Sequence, residues 1–229
     1  MLIDFKQLFP KYGINPKGVL HVGASEGQEA QTYADLGIQK VVWVEAIPNI
    51  YAKLLDNISR FPGNIAINEC VGDEDEKDVT FHVANNGGQS SSILEFGTHS
   101  TTHPDVKFVY DLQLKMRRLD TLLLTNEIVD FGEGLDFLNM DLQGAELMAL
   151  RGLGDLLHQF KWAYLEVNWD HLYKGCPLIG EVDAYMSSFG FRRVEAMQCG
   201  RTMWGDAYYS KVGTKIADWY VGASQLTSR

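Results

Sequence analysis

Cysteine is scarce in this chain and unpaired. Only Cys70, Cys176 and Cys199 occur among 229 residues, without a Cys-x-x-Cys pair, so a disulfide framework is excluded. Free thiols of a cytoplasmic protein are the expectation. Long apolar runs are also lacking. No stretch approaches the roughly 18 residues that a membrane span requires. The opening segment MLIDFKQLFPKYG is interrupted by Asp4, Lys6 and Gln7, which leaves no signal-peptide core. Basic charge is in deficit, with a net charge of −10. Such a chain is a poor match to phosphate backbones or anionic lipid, so nucleic acid is not an expected partner. No internal repeat is visible, and the sequence leaves the oligomeric state open.

What is present is the material of a core. Hydrophobic residues make up 45% and aromatics 11% of the chain, enough to exclude disorder. The length favours one large α/β domain over residues 1–229. Short apolar strands are expected at GVLHVG (18–23), VVWVE (41–45), NIAINECV (64–71), LDFLNMD (135–141) and WAYLEV (162–167). Helices alternate with them at 27–36, 48–58, 144–151 and 177–189. The second of these opens at Pro48 and carries Ile50, Leu54 and Ile58 on one stripe. Continuous apolar strands alternating with helices predict a parallel sheet covered on both faces. FRRVEAM and DAYYSKV read as a closing antiparallel pair, giving about seven main strands. Residues 72–118 break the rhythm and are read as an insertion decorating one rim of the sheet.

In an open parallel sheet, ligands bind beyond the carboxyl ends of the strands. The first strand ends in Gly23-Ala24-Ser25-Glu26-Gly27 and the second in Glu45. The separation of Gly23 and Glu45 is 22 positions, close to the roughly 20 expected between a glycine turn and the acid that holds a ribose. A nucleoside cofactor is indicated. The middle glycine of G-x-G-x-x-G is missing, and Glu26 would repel a pyrophosphate. A phosphate-free cofactor with a sulfonium and an ammonium, the description of S-adenosylmethionine, suits this acidic turn better than a dinucleotide.

The segments VLHVGASEGQE, VVWVEAIPN, QSSSI, RRLDTLL, LDFLNMDLQGAELMALRG and YLEV together resemble the FkbM-type S-adenosylmethionine-dependent methyltransferases, over about residues 18–212. The resemblance implies a class I methyltransferase fold: a Rossmann-like, mostly parallel seven-stranded α/β sheet of order 3-2-1-4-5-7-6, with strand seven antiparallel and helices on both faces. It also implies O-methylation of a hydroxyl on a sugar, glycan or natural product. Carried onto this sequence, Gly23, Ala24 and Ser25 line the methionine part of the cofactor, with Glu26 beside them. Glu45 binds the ribose, Ala46 and Ile47 flank the adenine, and Cys70 and Val71 pack its other face. Asp141, with Leu142, lies at the methionine end. One departure stands out: the position two before Gly23, usually acidic in these enzymes, is His21, so a carboxylate for the cofactor ammonium is missing there.

An alcohol acceptor needs a base within about 3 Å. Asp141, Glu166 and His171 are the candidates. Asp141 reads alternatively as a helix N-cap, and Glu146 as a charge favourable to a helix dipole. Ser90, Ser91 and Ser92 form a polar loop able to reach cofactor or acceptor, and Ser91 is counted with the cofactor residues. His99 and His103 read as solvated loop residues. Tyr110, Trp169 and Tyr173 are candidate sugar-stacking aromatics. No spacing motif supports a metal site, so no metal is expected. Two alternatives stay open: a nicotinamide-dependent oxidoreductase, and an inactive cofactor-binding module on the same scaffold.

Overall fold

A computed structural model describes residues 2–125 and 134–214. The chain opens with α1 (Phe5–Tyr12), capped by the Asp4 side chain at its start and by Gly13 in the left-handed region at its end. Phe5, Leu8, Phe9 and Tyr12 recur at helical spacing and are buried. There follow β1 (Gly18–Val22), α2 (Ala30–Asp35), β2 (Lys40–Val44), α3 (Pro48–Ile58) and β3 (Asn64–Ile67). The middle of the chain forms β4 (Cys70–Gly72), β5 (Lys77–Ala84), α4 (His99–Thr102), β6 (Phe108–Arg118) and α5 (Leu119–Thr125). The main sheet resumes with β7 (Phe137–Met140), α6 (Glu146–Leu153), β8 (Trp162–Asn168), α7 (Ile179–Ser188), β9 (Phe191–Gln198) and β10 (Trp204–Lys211).

The seven-stranded sheet has the order β3-β2-β1-β7-β8-β10-β9. Strands β1, β2, β3, β7 and β8 run parallel, and β10 pairs antiparallel with both β8 and β9. Counted within this sheet alone, the order is the 3-2-1-4-5-7-6 arrangement that the resemblance implies. Alternate residues of each strand feed opposite cores. Leu20, Val22, Val42 and Val44 pack with Leu122, Leu150 and Met186 from α5, α6 and α7. Val19, Val41 and Trp43 pack on the other face with Phe5, Tyr33 and Leu54 from α1, α2 and α3. His21 also lies between Tyr33 and Trp43, stacked on the indole at 4.9 Å. Burial holds its pKa down at about 3, so it is neutral.

The segment 64–71 does not form one strand. Pairing with β2 stops at Ile67, and the chain crosses to a second, three-stranded sheet of order β4-β6-β5. Asn68 makes the corner by donating to the carbonyls of Glu45 and Ala46 at 2.7 and 3.1 Å. This second sheet holds the 72–118 segment over the carboxyl ends of the main strands. No described helix is long and apolar enough to cross a membrane.

Candidate functional site

A cavity of about 570 Å³ opens at the carboxyl ends of β1, β2, β7 and β8. Its floor is made by three strand-end turns. At the end of β1, Gly23 adopts φ 77° and its backbone lies so close to Asp141 that an added Cβ would sit 1.8 Å from the Asp141 carbonyl oxygen. Only glycine fits there. Ser25 and Gln143, both non-glycine residues at positive φ (48° and 52°), lie in the turns after β1 and β7. Such strain persists where the surroundings fix it, and it clusters at functional sites.

At the end of β2, the buried Glu45 carboxylate joins two turns. One oxygen accepts the Ser25 N–H at 2.9 Å and the other the Ile47 N–H at 2.8 Å. Burial raises its pKa, while these amides and Ala46 pull it back. A carboxylate has about four acceptor positions, so each oxygen keeps a lone pair for a ligand hydroxyl.

The turn after β7 is built from side chains. Gln143 Nε2 donates to Asp141 Oδ1 at 2.7 Å and to both Glu166 oxygens at 3.0 and 2.9 Å. Its Oε1 accepts the Tyr173 hydroxyl at 2.7 Å. Glu146 Oε1 accepts the Leu142 and Gly144 N–H groups at 2.8 and 3.2 Å. Glu146 therefore fixes the turn, and Asp141 is not the N-cap, which is Ala145. The serine loop is pinned to the same turn, since Ser92 Oγ donates to the Gln143 carbonyl at 2.9 Å. Ser91 Oγ accepts the Ala84 N–H at 3.0 Å.

Of the expected site residues, Gly23, Ala24, Ser25, Glu45, Ala46, Ile47, Cys70, Val71, Ser91, Asp141, Leu142 and Glu166 all line the cavity. Glu26 and His171 do not. Glu26 turns outward to an ion pair with Lys53 at 2.6 Å. His171 turns back on its own loop, its Nδ1 3.0 Å from the Cys176 carbonyl. Tyr173 lines the cavity, but Tyr110 borders a separate surface groove and Trp169 packs on the core.

The structure adds residues that the sequence did not offer. Glu29, Asp206 and Asn139 line the cavity, and so do His99 and His103, which read from the sequence as solvated loop residues. His99 is buried rather than solvated, stacked on Phe96 at 4.3 Å, with its Nδ1 lacking any hydrogen-bond partner. Burial pushes its pKa down to about 4. Asp206 is hidden from a sequence reading because it comes from the antiparallel β10, far along the chain.

Among the described residues, six carboxylates line the cavity, from Glu29, Glu45, Glu69, Asp141, Glu166 and Asp206, and no Lys or Arg does. Every one of the six has a raised pKa, burial being the leading cause. Such a cavity fits a net cationic ligand and rejects a pyrophosphate. A ribose fits Glu45, and the close-packed Gly23 turn leaves its space to the ligand. Oxygens of Asp141, Glu146 and Glu166 lie within 4.8 Å of one another. Gln143 already supplies partial positive charge between Asp141 and Glu166, and no metal is assigned.

The buried acids set a pH dependence. Burial raises Glu146 to about 7 and Glu166 well above its ordinary value. Below about pH 7 Glu146 holds a proton in the folded state that the unfolded chain has already released, so its stabilisation is lost as pH rises through that value. His21 and His99, with lowered pKa values, oppose this only below about pH 6.5, where an unfolded histidine takes up a proton. From pH 6.5 to 8 the ligand-free protein should therefore lose melting temperature, on the order of 3 °C for each kcal/mol. Glu146→Gln should flatten that slope. A melting temperature that is constant or rises over this window would refute the assignment.

A family model described as the Methyltransferase FkbM domain matches residues 21–193. The 2-O-methyltransferase NoeI of Sinorhizobium fredii (strain NBRC 101917 / NGR234) is 24% identical over 164 residues, 69% of this chain and 65% of that protein. The chain thus spans just under two thirds of that relative's length. Among solved structures, Aeropyrum pernix fibrillarin with natively bound S-adenosyl-L-methionine is 13% identical, covering 84% of this chain and 66% of its own, at a TM-score of 0.48. A putative RNA methyltransferase from Pyrococcus horikoshii is 14% identical, covering 91% and 81%, at 0.47. Likeness at this level adds nothing to the strand order seen directly.

Proposed function

The chain belongs to the FkbM methyltransferase family, and we propose that it methylates a hydroxyl on a sugar, glycan or other small natural product. Its cofactor is S-adenosylmethionine, which when bound supplies an electrophilic methyl group on a sulfonium. The observation that carries the reading is the cavity itself: six carboxylates, no cationic side chain, and a ribose-ready Glu45 at the end of β2. A dinucleotide would place its pyrophosphate among these acids, which counts against the oxidoreductase alternative. The hydroxyl acceptor is supported by the 2-O-methyltransferase relative and by a neutral imidazole in the cavity wall.

In this reading Gly23, Ala24, Ser25, Glu29, Asp141 and Leu142 surround the methionine end. Glu45 takes the ribose hydroxyls. Ala46, Ile47, Cys70, Val71 and Ser91 enclose the adenine. Methyl transfer is an in-line displacement, and holding the acceptor oxygen in line is worth roughly 7–11 kcal/mol. The acceptor enters beneath the 85–106 segment, alongside the packed rings of Tyr173 and His99. Its hydroxyl proton passes to an imidazole nitrogen of His99 as the oxygen–methyl bond forms. Asp141 and Glu166, joined through Gln143, hold the turn from which the acceptor is positioned.

The test pairs binding with turnover. Calorimetry should show S-adenosylmethionine and S-adenosylhomocysteine binding, while NAD does not. Methyl-labelled S-adenosylmethionine should then label members of a panel of methyl glycosides. Failure of both adenosyl ligands to bind at millimolar concentration would overturn the reading.

A further inference from the structure

His21 stands where the resemblance implies an acid that would hold the cofactor ammonium. It cannot do that work here. It is neutral, sandwiched between Trp43 and Tyr33, and within 3.3–3.4 Å of the Tyr33 hydroxyl and the Asn139 amide. A buried neutral ring cannot neutralise an ammonium. The charge must come from elsewhere on the wall, and the carboxylates there differ in how far they are committed.

Asp141 is bonded to Gln143. Asp206 accepts the Tyr164 hydroxyl at 2.5 Å and the Leu2 N–H. Glu45 is occupied by Ser25 and Ile47, and Glu166 by Gln143. Glu69 faces the Arg117 guanidinium at 3.8 Å. The Glu29 backbone carbonyl accepts the Tyr33 N–H at 2.9 Å, but its carboxylate has no ion pair or hydrogen bond to another described residue, only to its own backbone. It lies at the start of α2, one helical turn before Tyr33, on the cavity wall. Glu29, Asp141, Asp206 and the Gly23 turn all line the same cavity, and burial first, then the charges of Asp141 and Asp206, raises the Glu29 pKa.

We propose that Glu29 is the ammonium-binding carboxylate of this enzyme, its role displaced from the end of β1 to the start of α2. Glu29 accepts hydrogen bonds from the ammonium of the methionyl end, with Asp141 completing the negative wall. His21, freed from that duty, becomes part of the packing between the sheet and α2. The inference rests on the cofactor assignment above.

The experiment compares two ligands on two proteins by calorimetry at pH 7.5. S-adenosylmethionine carries the ammonium; 5′-methylthioadenosine keeps the adenosine and sulfur but lacks the amino-acid end. Glu29→Gln should weaken S-adenosylmethionine by about 10-fold or more, the scale of a lost charge-assisted hydrogen bond, and leave methylthioadenosine within twofold. Retained methylthioadenosine binding shows that the variant is folded. Two results would overturn the proposal: unchanged S-adenosylmethionine affinity, or an equal loss for both ligands, which would make Glu29 a structural support of the turn. If the unaltered protein binds neither ligand, the cofactor assignment itself fails, and this inference with it.

Discussion

Glu45→Ala should weaken S-adenosylmethionine binding by about 10²–10⁴-fold, the largest loss expected from any single change in the cavity. The side chain has two tasks. It accepts the Ser25 and Ile47 N–H groups, and so holds the β1 turn against the entrance of α3. In the proposed site it would also offer its remaining lone pairs to the ribose hydroxyls. Each hydrogen bond to a charged group is worth about 1.5–3 kcal/mol, and two ribose contacts give roughly 3–6 kcal/mol, which is the quoted range of affinity. Truncation also leaves two buried amides without acceptors, so the ligand-free protein should melt several degrees lower. Glu45→Gln separates the tasks. It keeps the volume and one carbonyl acceptor, but turns an NH₂ toward one of the two backbone donors, and should fall between wild type and alanine in both measurements. Calorimetry gives the affinities and thermal melts the stability. An alanine variant that binds within threefold of wild type would remove Glu45 from the ribose site.

The elements that the sequence makes legible are those whose residues face only one kind of environment. β1 and β8 are buried throughout, so they read as continuous apolar runs. α3 declares itself through Pro48 and the Ile50, Leu54, Ile58 stripe. The Gly23–Glu45 spacing survives because it is a property of one β-α-β unit, local in the chain. What depends on long-range contact is lost. The 64–71 stretch is uniformly strand-like, yet divides between two sheets because Asn68 finds the Glu45 and Ala46 carbonyls. α1 carries an amphipathic pattern in Phe5, Leu8, Phe9 and Tyr12, but the same residues first invite only the question of a signal segment. Within the site, Glu26 and Glu29 are three residues apart in one turn. Only the helix start at Ala30 decides that Glu29 meets the cavity while Glu26 meets Lys53. His171 and His99 exchange places relative to the cavity for a similar reason. His171 lies in a loop and His99 opens the four-residue helix α4, and the Phe96 stack that draws His99 inward has no signature in the sequence.

His99→Ala should lower the rate of methyl transfer by about 10²–10⁴-fold, the range for a positioned base, and leave S-adenosylmethionine affinity within twofold. A buried polar atom without a partner is costly and calls for an explanation. His99 Nδ1 is such an atom, in a side chain that lines the cavity; because the atom is closed off, an acceptor hydroxyl would bond to it only after the imidazole turns toward the cavity. With its pKa held near 4, the ring is neutral at pH 7 and able to receive a proton. His103 lies 4.9 Å away, and its replacement by alanine should have a much smaller effect. Packing is separated from chemistry by His99→Phe. That ring can keep the stack on Phe96 and the contact with Tyr173, but carries no nitrogen. If His99 is the base, the phenylalanine and alanine variants should be equally slow in single-turnover assays with the methyl glycoside acceptors, with the loss in kcat rather than in KM. A phenylalanine variant that works at the wild-type rate would reduce His99 to a wall of the acceptor cavity. The proton would then pass to the Asp141–Gln143–Glu166 network, and Glu166→Gln would become the variant that stops turnover.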